Sequence, residues 1–194
     1  ETADRMAQAR DVLNQVAFEF AKKHILITKI GSLSVDLLSF HKQLPETKFR
    51  VLSYSVKWVA GSHYGARAKT LEKALKDSID GKARTCNGCM LTRNDGKLHI
   101  FREYNAVKNS SLINGIWDNR WSAPENSQVR ACGLDGLHQI EDWQSCNLPK
   151  QAIISMPTIW KNSNLVDHLV FENKNSSIKF IKQKNDFYSG ILSY

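Results

Sequence analysis

Cys86 and Cys89 form a Cys-x-x-Cys, the spacing of half a zinc site or of a dithiol redox pair. A tetrahedral zinc site needs two further ligands. Cys132 and Cys146 stand 14 residues apart and do not make a second knuckle. A chain of 194 residues needs no disulfide staple, so all four cysteines read as reduced thiols, packed as small hydrophobes in strands. No metal is expected. His24, His41, His63, His99, His138 and His168 are scattered without ligand spacing and read as surface or satisfied histidines. Glu141 and Asp142 are neighbours on an expected helix and point apart, so they are no acid/base pair. Asp118 beside Arg120 reads as a structural ion pair. There is no Walker or Rossmann glycine loop, no Gly-x-Ser-x-Gly elbow and no His-Glu-x-x-His. No catalytic residue is therefore assigned, and the chain reads as a binding or accessory module. Trp117, Trp121, Trp143 and Trp160 could stack on bases, but tryptophans in a strand-rich half first fill a core.

The cations carry more information. The net charge is +8, and residues 1–84 hold 15 Lys and Arg against 9 Asp and Glu, while residues 85–194 hold 12 against 10. A basic excess in one segment points to a polyanion. Arg50 and Lys57 fall on one expected helix; Arg67, Lys69, Lys73 and Lys76 fall on the next. Lys69, Lys73 and Lys76 share one side of that helix at three- and four-residue steps. His63, Tyr64 and Gly65 stand in the loop between the helices. Cations meet phosphates, and glycine lets a backbone approach, so this region suits a nucleic-acid backbone. The competing reading is a solvated, lysine-rich face.

These residues need an α+β scaffold. Residues 1–82 read as a helical domain and residues 83–194 as a β-rich domain of short, mostly antiparallel strands with two small helices. A first helix is expected from Ala3 to Lys23, capped by Thr2, with Met6, Ala9, Leu13, Val16 and Phe20 as a core-facing stripe. Leu33 to Val35 reads as extended and Asp36 to Phe40 as a short helix. Pro45 opens a second long helix that Gly61 ends, with Phe49, Leu52, Val56 and Val59 on one face. A third covers Ala66 to Ile79, with Leu71, Leu75 and Ile79 inward. The period then changes. Residues 89–93 and 98–102 flank Asn94-Asp95-Gly96 as a hairpin, and Ile113 to Ser122 form a second hairpin turning at Asp118-Asn119. Further strands are expected at Gln128 to Cys132, Ile159-Trp160, Leu165 to Phe171 and Ile178 to Ile181. Helices are expected near Leu137 to Trp143 and from Pro149 to Ser155. A polar loop covers Asn173 to Ser177.

No apolar run is long enough to span a membrane, and no leader precedes the first helix, so a cytoplasmic setting is expected. The first residue is Glu rather than Met, which suggests a piece of something longer.

The order of several short motifs resembles a known family. Thr85-Cys86-Asn87-Gly88-Cys89 is followed by Arg102-Glu103, Trp117-Asp118-Asn119-Arg120 and Val129-Arg130 to Gly133. Leu148-Pro149-Lys150 and Met156-Pro157-Thr158-Ile159-Trp160 complete the series. Together they resemble the C-terminal half of bacterial tRNA(Ile)-lysidine synthetases, of the PP-loop ATPase family. Upstream, Arg50-Val51-Leu52 and Gly61 to Arg67 resemble the helical region between that family's catalytic and terminal parts. There are departures: Asn87 stands where a first glycine of a Gly-Gly-Cys run is usual, Cys86 replaces an apolar residue, and Ala66 stands where proline often precedes arginine.

The resemblance implies an enzyme that joins lysine to the wobble cytidine of an isoleucine tRNA, using ATP and Mg in a catalytic domain with a Ser-Gly-Gly-x-Asp-Ser loop. Nothing in the present sequence matches that loop. The chain is then the tRNA-holding part, inactive alone and without a cofactor of its own. The implied phosphate contacts are Arg50, Lys57, Arg67, Lys69, Lys73 and Lys76, with Arg102, Arg120, Arg130 and Lys150 second. A protein-interaction or homodimerisation module is the alternative, and a free-standing enzyme the more distant one.

Overall fold

A computed structural model describes residues 1–171, 175–182 and 184–194. The chain opens with α1 (Thr2–His24), then β1 (Ile25–Ile27), β2 (Leu33–Asp36) and α2 (Leu37–His41). Next come α3 (Pro45–Ala60), α4 (Ala68–Ile79), β3 (Arg84–Cys86), β4 (Cys89–Asn94) and β5 (Lys97–Arg102). The second half holds α5 (Tyr104–Val107), β6 (Ile116–Trp117), β7 (Trp121–Ser122), β8 (Gln128–Ala131), α6 (Gly133–Leu137), a 3-10 turn (Trp143–Cys146) and α7 (Lys150–Ile154). It closes with β9 (Pro157–Lys161), β10 (Asn164–Asp167), β11 (Lys179–Phe180) and α8 (Lys184–Leu192). The α+β class expected from the sequence is borne out.

Proline and glycine set the bounds of α3 as expected. Pro45 supplies a helical φ at the first position, and Gly61 ends the helix in the left-handed region at φ 63°. α4 begins later than expected, at Ala68, with Arg67 as its extended cap residue. Asp36 caps α2 by accepting from the Leu38 N–H at 3.2 Å. Thr2, expected as a cap, lies inside α1, and Glu1 precedes the helix without a side-chain bond.

Among the described residues three antiparallel sheets form. The largest has the order β1-β2-β5-β4-β3, and the others are β10-β9-β8 and β11-β7-β6. In the large sheet Leu33 pairs with Ile100 and Val35 with Leu98, and Leu91 also faces Ile100. Alternation sends these five residues to one side, where they meet α1, α3, α4 and the buried Phe187 and Ile191 of α8. Phe101 takes the opposite side and enters a second core with Ile30, Trp117, Trp121, Val129 and Ile153. The large sheet is thus a wall between two cores. The expected division at residues 82/83 runs between α4 and the sheet on which α4 packs.

Several expectations need correction. The first three turns of α1 are largely exposed, with Met6 69% and Val12 64% accessible; Val16 further on is also exposed, and the buried positions are Asn14, Ala17, Phe20 and Ala21. No helix covers Leu137 to Trp143. α6 ends at Leu137, and Asp142 sits at φ 51°, a value no right-handed helix accommodates. The expected strand from Leu165 to Phe171 stops at Asp167. The expected polar loop falls partly on Asn173 and Lys174, outside the described residues. No described helix is long and apolar enough to cross a membrane.

Candidate nucleic-acid interface

α4 buries Leu71, Ala74 and Ser78. Ser78 anchors it by donating from Oγ to the carbonyls of Ala74 at 2.6 Å and Leu91 at 3.0 Å. That orientation turns Lys69, Lys73 and Lys76 outward, and all three are exposed. Among the described residues none of them lies within ion-pair distance of an acid. Arg67 is exposed at the head of the same helix, so the helix and its cap residue carry four exposed cations over ten residues.

The loop before α4 is held at its middle. Asn87 Nδ2 donates to the Tyr64 carbonyl at 3.3 Å. Gly65 lies against the Tyr194 hydroxyl, which also bonds Ser53 Oγ at 2.5 Å. The Tyr64 side chain, 83% exposed, projects from this tethered loop beside exposed His63. Lys57 places its Nζ 5.1 Å from the Tyr194 ring centroid. Sequence reasoning passed over Lys182, whose Nζ lies 5.9 Å from the Trp58 ring. Burial, then the nearby Arg120, lowers its pKa, with Lys57 adding to the effect. Its distance along the chain from Lys57 hid it; no local pattern marks it.

Other expected contacts are structural. Arg50 pairs through Nε with Glu46 Oε1 at 2.7 Å and donates from Nη1 to Asn14 Oδ1 at 2.7 Å. Asn14 in turn donates to the Leu192 carbonyl at 3.1 Å, so Arg50 ties α3 to α1 and α8. Arg102 forks onto Asp118 and donates from Nη1 to the Gly88 carbonyl at 2.8 Å. Burial opposes its charge, yet the Asp118 carboxylate outweighs burial and raises the Arg102 pKa. Arg120 is 2% exposed, donates to the Gly31 carbonyl and lies 5.4 Å from the Phe180 ring. Burial pulls its pKa down to about 10, partly countered by Asp118. Neither guanidinium faces solvent as a phosphate contact requires. Their burial could not be read from sequence, because Gly31 is 89 residues from Arg120.

Arg130 stacks on Trp160 at 3.7 Å from the ring centroid, and Thr158 Oγ1 donates to the Arg130 carbonyl at 3.0 Å. Lys150 opens α7 and is exposed. Trp117, Trp121 and Trp160 are buried. Cys86 and Cys89 face each other across the β3–β4 turn formed by Asn87 and Gly88, both at positive φ. Burial pushes the Cys89 thiol up to about 12, so it stays protonated. The Cys-x-x-Cys is thus the flank of a two-residue hairpin.

The quoted motifs converge in space. Gly88, Arg102, Asp118 and Arg120 meet at one point, next to Gly61. Arg130, Thr158 and Trp160 meet at another.

No family model matches the chain, and no solved structure does. Curated relatives do. Over 202 residues the chain is 27% identical to the tRNA(Ile)-lysidine synthase of Ruegeria pomeroyi, covering all of this chain and 48% of that protein. It is 28% identical to the same enzyme of Rickettsia typhi over 127 residues, which is 62% of this chain and 29% of that protein. With that of Rickettsia prowazekii it shares 27% over 134 residues, 66% of this chain and 31% of the relative. The chain therefore spans at most about half the length of these relatives, and it is related to a part of the tRNA(Ile)-lysidine synthases, as its motif order implied.

Proposed function

We propose that the chain is the tRNA-holding part of a tRNA(Ile)-lysidine synthase, a ligase that joins lysine to the wobble cytidine of an isoleucine tRNA. Activation by ATP with Mg is assigned to a catalytic region beyond the residues of this chain, and a cytoplasmic setting follows from the tRNA substrate. The observation that carries the reading is the edge of Lys69, Lys73 and Lys76, unpaired among the described residues, with exposed Arg67 joining it to the tethered loop that presents Tyr64. Four cations free of acidic partners suit a row of phosphates, and an exposed aromatic beside them suits an unstacked base. Lys57, beside the Tyr194 ring, and Lys182, beside Trp58, add to the positive field, and Lys150 and Arg130 are second-rank candidates.

Filter binding of an isoleucine tRNA transcript at two salt concentrations tests this. Neutralising several phosphates makes affinity fall steeply with salt, with a logarithmic slope of about one per contact. No binding at low salt overturns the reading.

One observation favours a second reading, a dimerisation module. Met6, Val12 and Val16 are exposed on α1 among both signs of charge, from Asp4, Arg5, Arg10 and Asp11. Such a face suits a second copy of the chain. Light scattering with and without tRNA separates the two: a dimer indifferent to tRNA favours the second.

A further inference from the structure

A cleft of about 500 Å³ opens on the side of the large sheet away from the first core. Its floor is the cross-strand pair Ser34 and His99, and its far wall is made by Leu148, Leu169 and Phe171. Lys29 and Lys97 stand at its rim, both exposed. Among the described residues no acid lines it. His99 is only 3% exposed, and its Nδ1 has no hydrogen-bond partner among the described residues. That nitrogen is closed to solvent, so the cleft meets His99 through the rest of its ring, beside Ser34.

We infer that this cleft binds one unpaired nucleotide, its base between His99 and the Phe171 wall and its phosphate on Lys29 and Lys97. The chemistry is complementary at each point. The Ser34 hydroxyl on the floor can donate to or accept from a base edge. Burial, then Lys97, lowers the His99 pKa and so favours a neutral ring beneath the base. An apolar wall with an aromatic ring suits a base face, and two rim lysines suit a phosphate. The volume lies within the range of small-ligand sites and cannot admit a duplex. The inference rests on the RNA reading above for the nucleotide's source in a tRNA; a free mononucleotide shares the same chemistry.

The test uses isotope-labelled chain and follows the amide signals of Leu169 and Val170 and the ring signals of His99. The probes are a single-stranded RNA tetranucleotide, a blunt RNA hairpin and a nucleoside 5′-monophosphate. The tetranucleotide is expected to move these signals saturably, and to bind more tightly than the hairpin by about tenfold or more. Lys29→Glu and Lys97→Glu, exposed changes that leave the sheet intact, weaken it further than the same change at Lys108. His99→Phe removes the ring response. A monophosphate that binds as tightly as the tetranucleotide assigns the cleft to a free nucleotide. Unmoved cleft signals, or equal movement with the blunt hairpin, overturn the inference. Filter binding of whole tRNA on the same preparation keeps the two readings apart. Bound tRNA with a silent cleft sinks only the cleft, whereas a responsive cleft without tRNA binding sinks only the tRNA interface.

Discussion

Arg102 grips Asp118 with two parallel hydrogen bonds, Nη2 to Oδ1 at 2.8 Å and Nε to Oδ2 at 2.9 Å. Asp118 is 8% exposed, and its second cation, Arg120, lies 4.0 Å away. One carboxylate therefore answers two buried guanidiniums. Asp118→Ala strands both charges, and breaking a buried pair in this way costs about 3–5 kcal/mol. Urea unfolding is expected to show that loss. A loss below about 1 kcal/mol would mean that water reaches the guanidiniums and the knot does not hold the hairpin to the sheet.

Gly88 and Gly96 form a controlled pair. Both sit at φ 69° in tight turns. A Cβ at Gly96 meets nothing, whereas one at Gly88 lands 2.7 Å from Arg102 Nη1. Gly96→Ala is expected to cost only the left-handed strain, roughly 1 kcal/mol. Gly88→Ala adds displacement of the Arg102 fork and should cost more by another 1–3 kcal/mol, roughly the worth of a charged hydrogen bond. Equal losses in thermal melts would show that the guanidinium moves aside freely.

Sequence signals worked where the cause is local. Pro45 and Gly61 marked both ends of α3 because φ is set by the residue itself. Asn87-Gly88 carried the same kind of signal, and its meaning was obscured by the two flanking cysteines, whose spacing also fits metal. α8 went unread because its support is distant. Phe187 and Ile191 are buried against the first core, and Gly190, a poor helix former, stands where the Tyr54 hydroxyl leaves no room for a side chain. The site shows the same split. The Lys69, Lys73 and Lys76 edge follows from helical spacing. The Asp118–Arg120 pair was legible because the two stand two residues apart, whereas the roles of Arg50 and Arg102 and the burial of Arg120 depend on Asn14, Asp118, Gly88 and Gly31, which no local pattern connects to them.

Arg50 and the α4 lysines should separate in experiment. A triple change of Lys69, Lys73 and Lys76 to Glu is expected to leave the melting temperature nearly unchanged. It should weaken tRNA binding and cut the logarithmic salt slope by about one per lost phosphate contact. Arg50→Met removes the bond to Asn14 and should cost roughly 1–3 kcal/mol, with faster amide exchange in α1 and α8. Its tRNA affinity below the melting range should stay within about twofold, since losses at structural sites reach binding only through the folded fraction. Full salt dependence in the triple variant would remove α4 from the interface.

His99 gives the protein a pH signature. Its folded pKa lies below the ordinary 6.5, first from burial and then from Lys97. Between the folded and unfolded values the unfolded chain binds more protons, so stability rises with pH through that window. As pH falls below 6.5, stability is progressively lost until the folded pKa is passed, at no more than about 1.4 kcal/mol per pH unit for one proton. Asp36, also lowered, chiefly through its bond from Ser39, acts in a separate and more acid window, below its ordinary 3.8. Urea midpoints at pH 7.5, 6.5 and 5.5 should therefore decline in the native chain. His99→Gln has no titrating ring and should flatten the decline over this range. Parallel declines in the two proteins would place the proton uptake elsewhere.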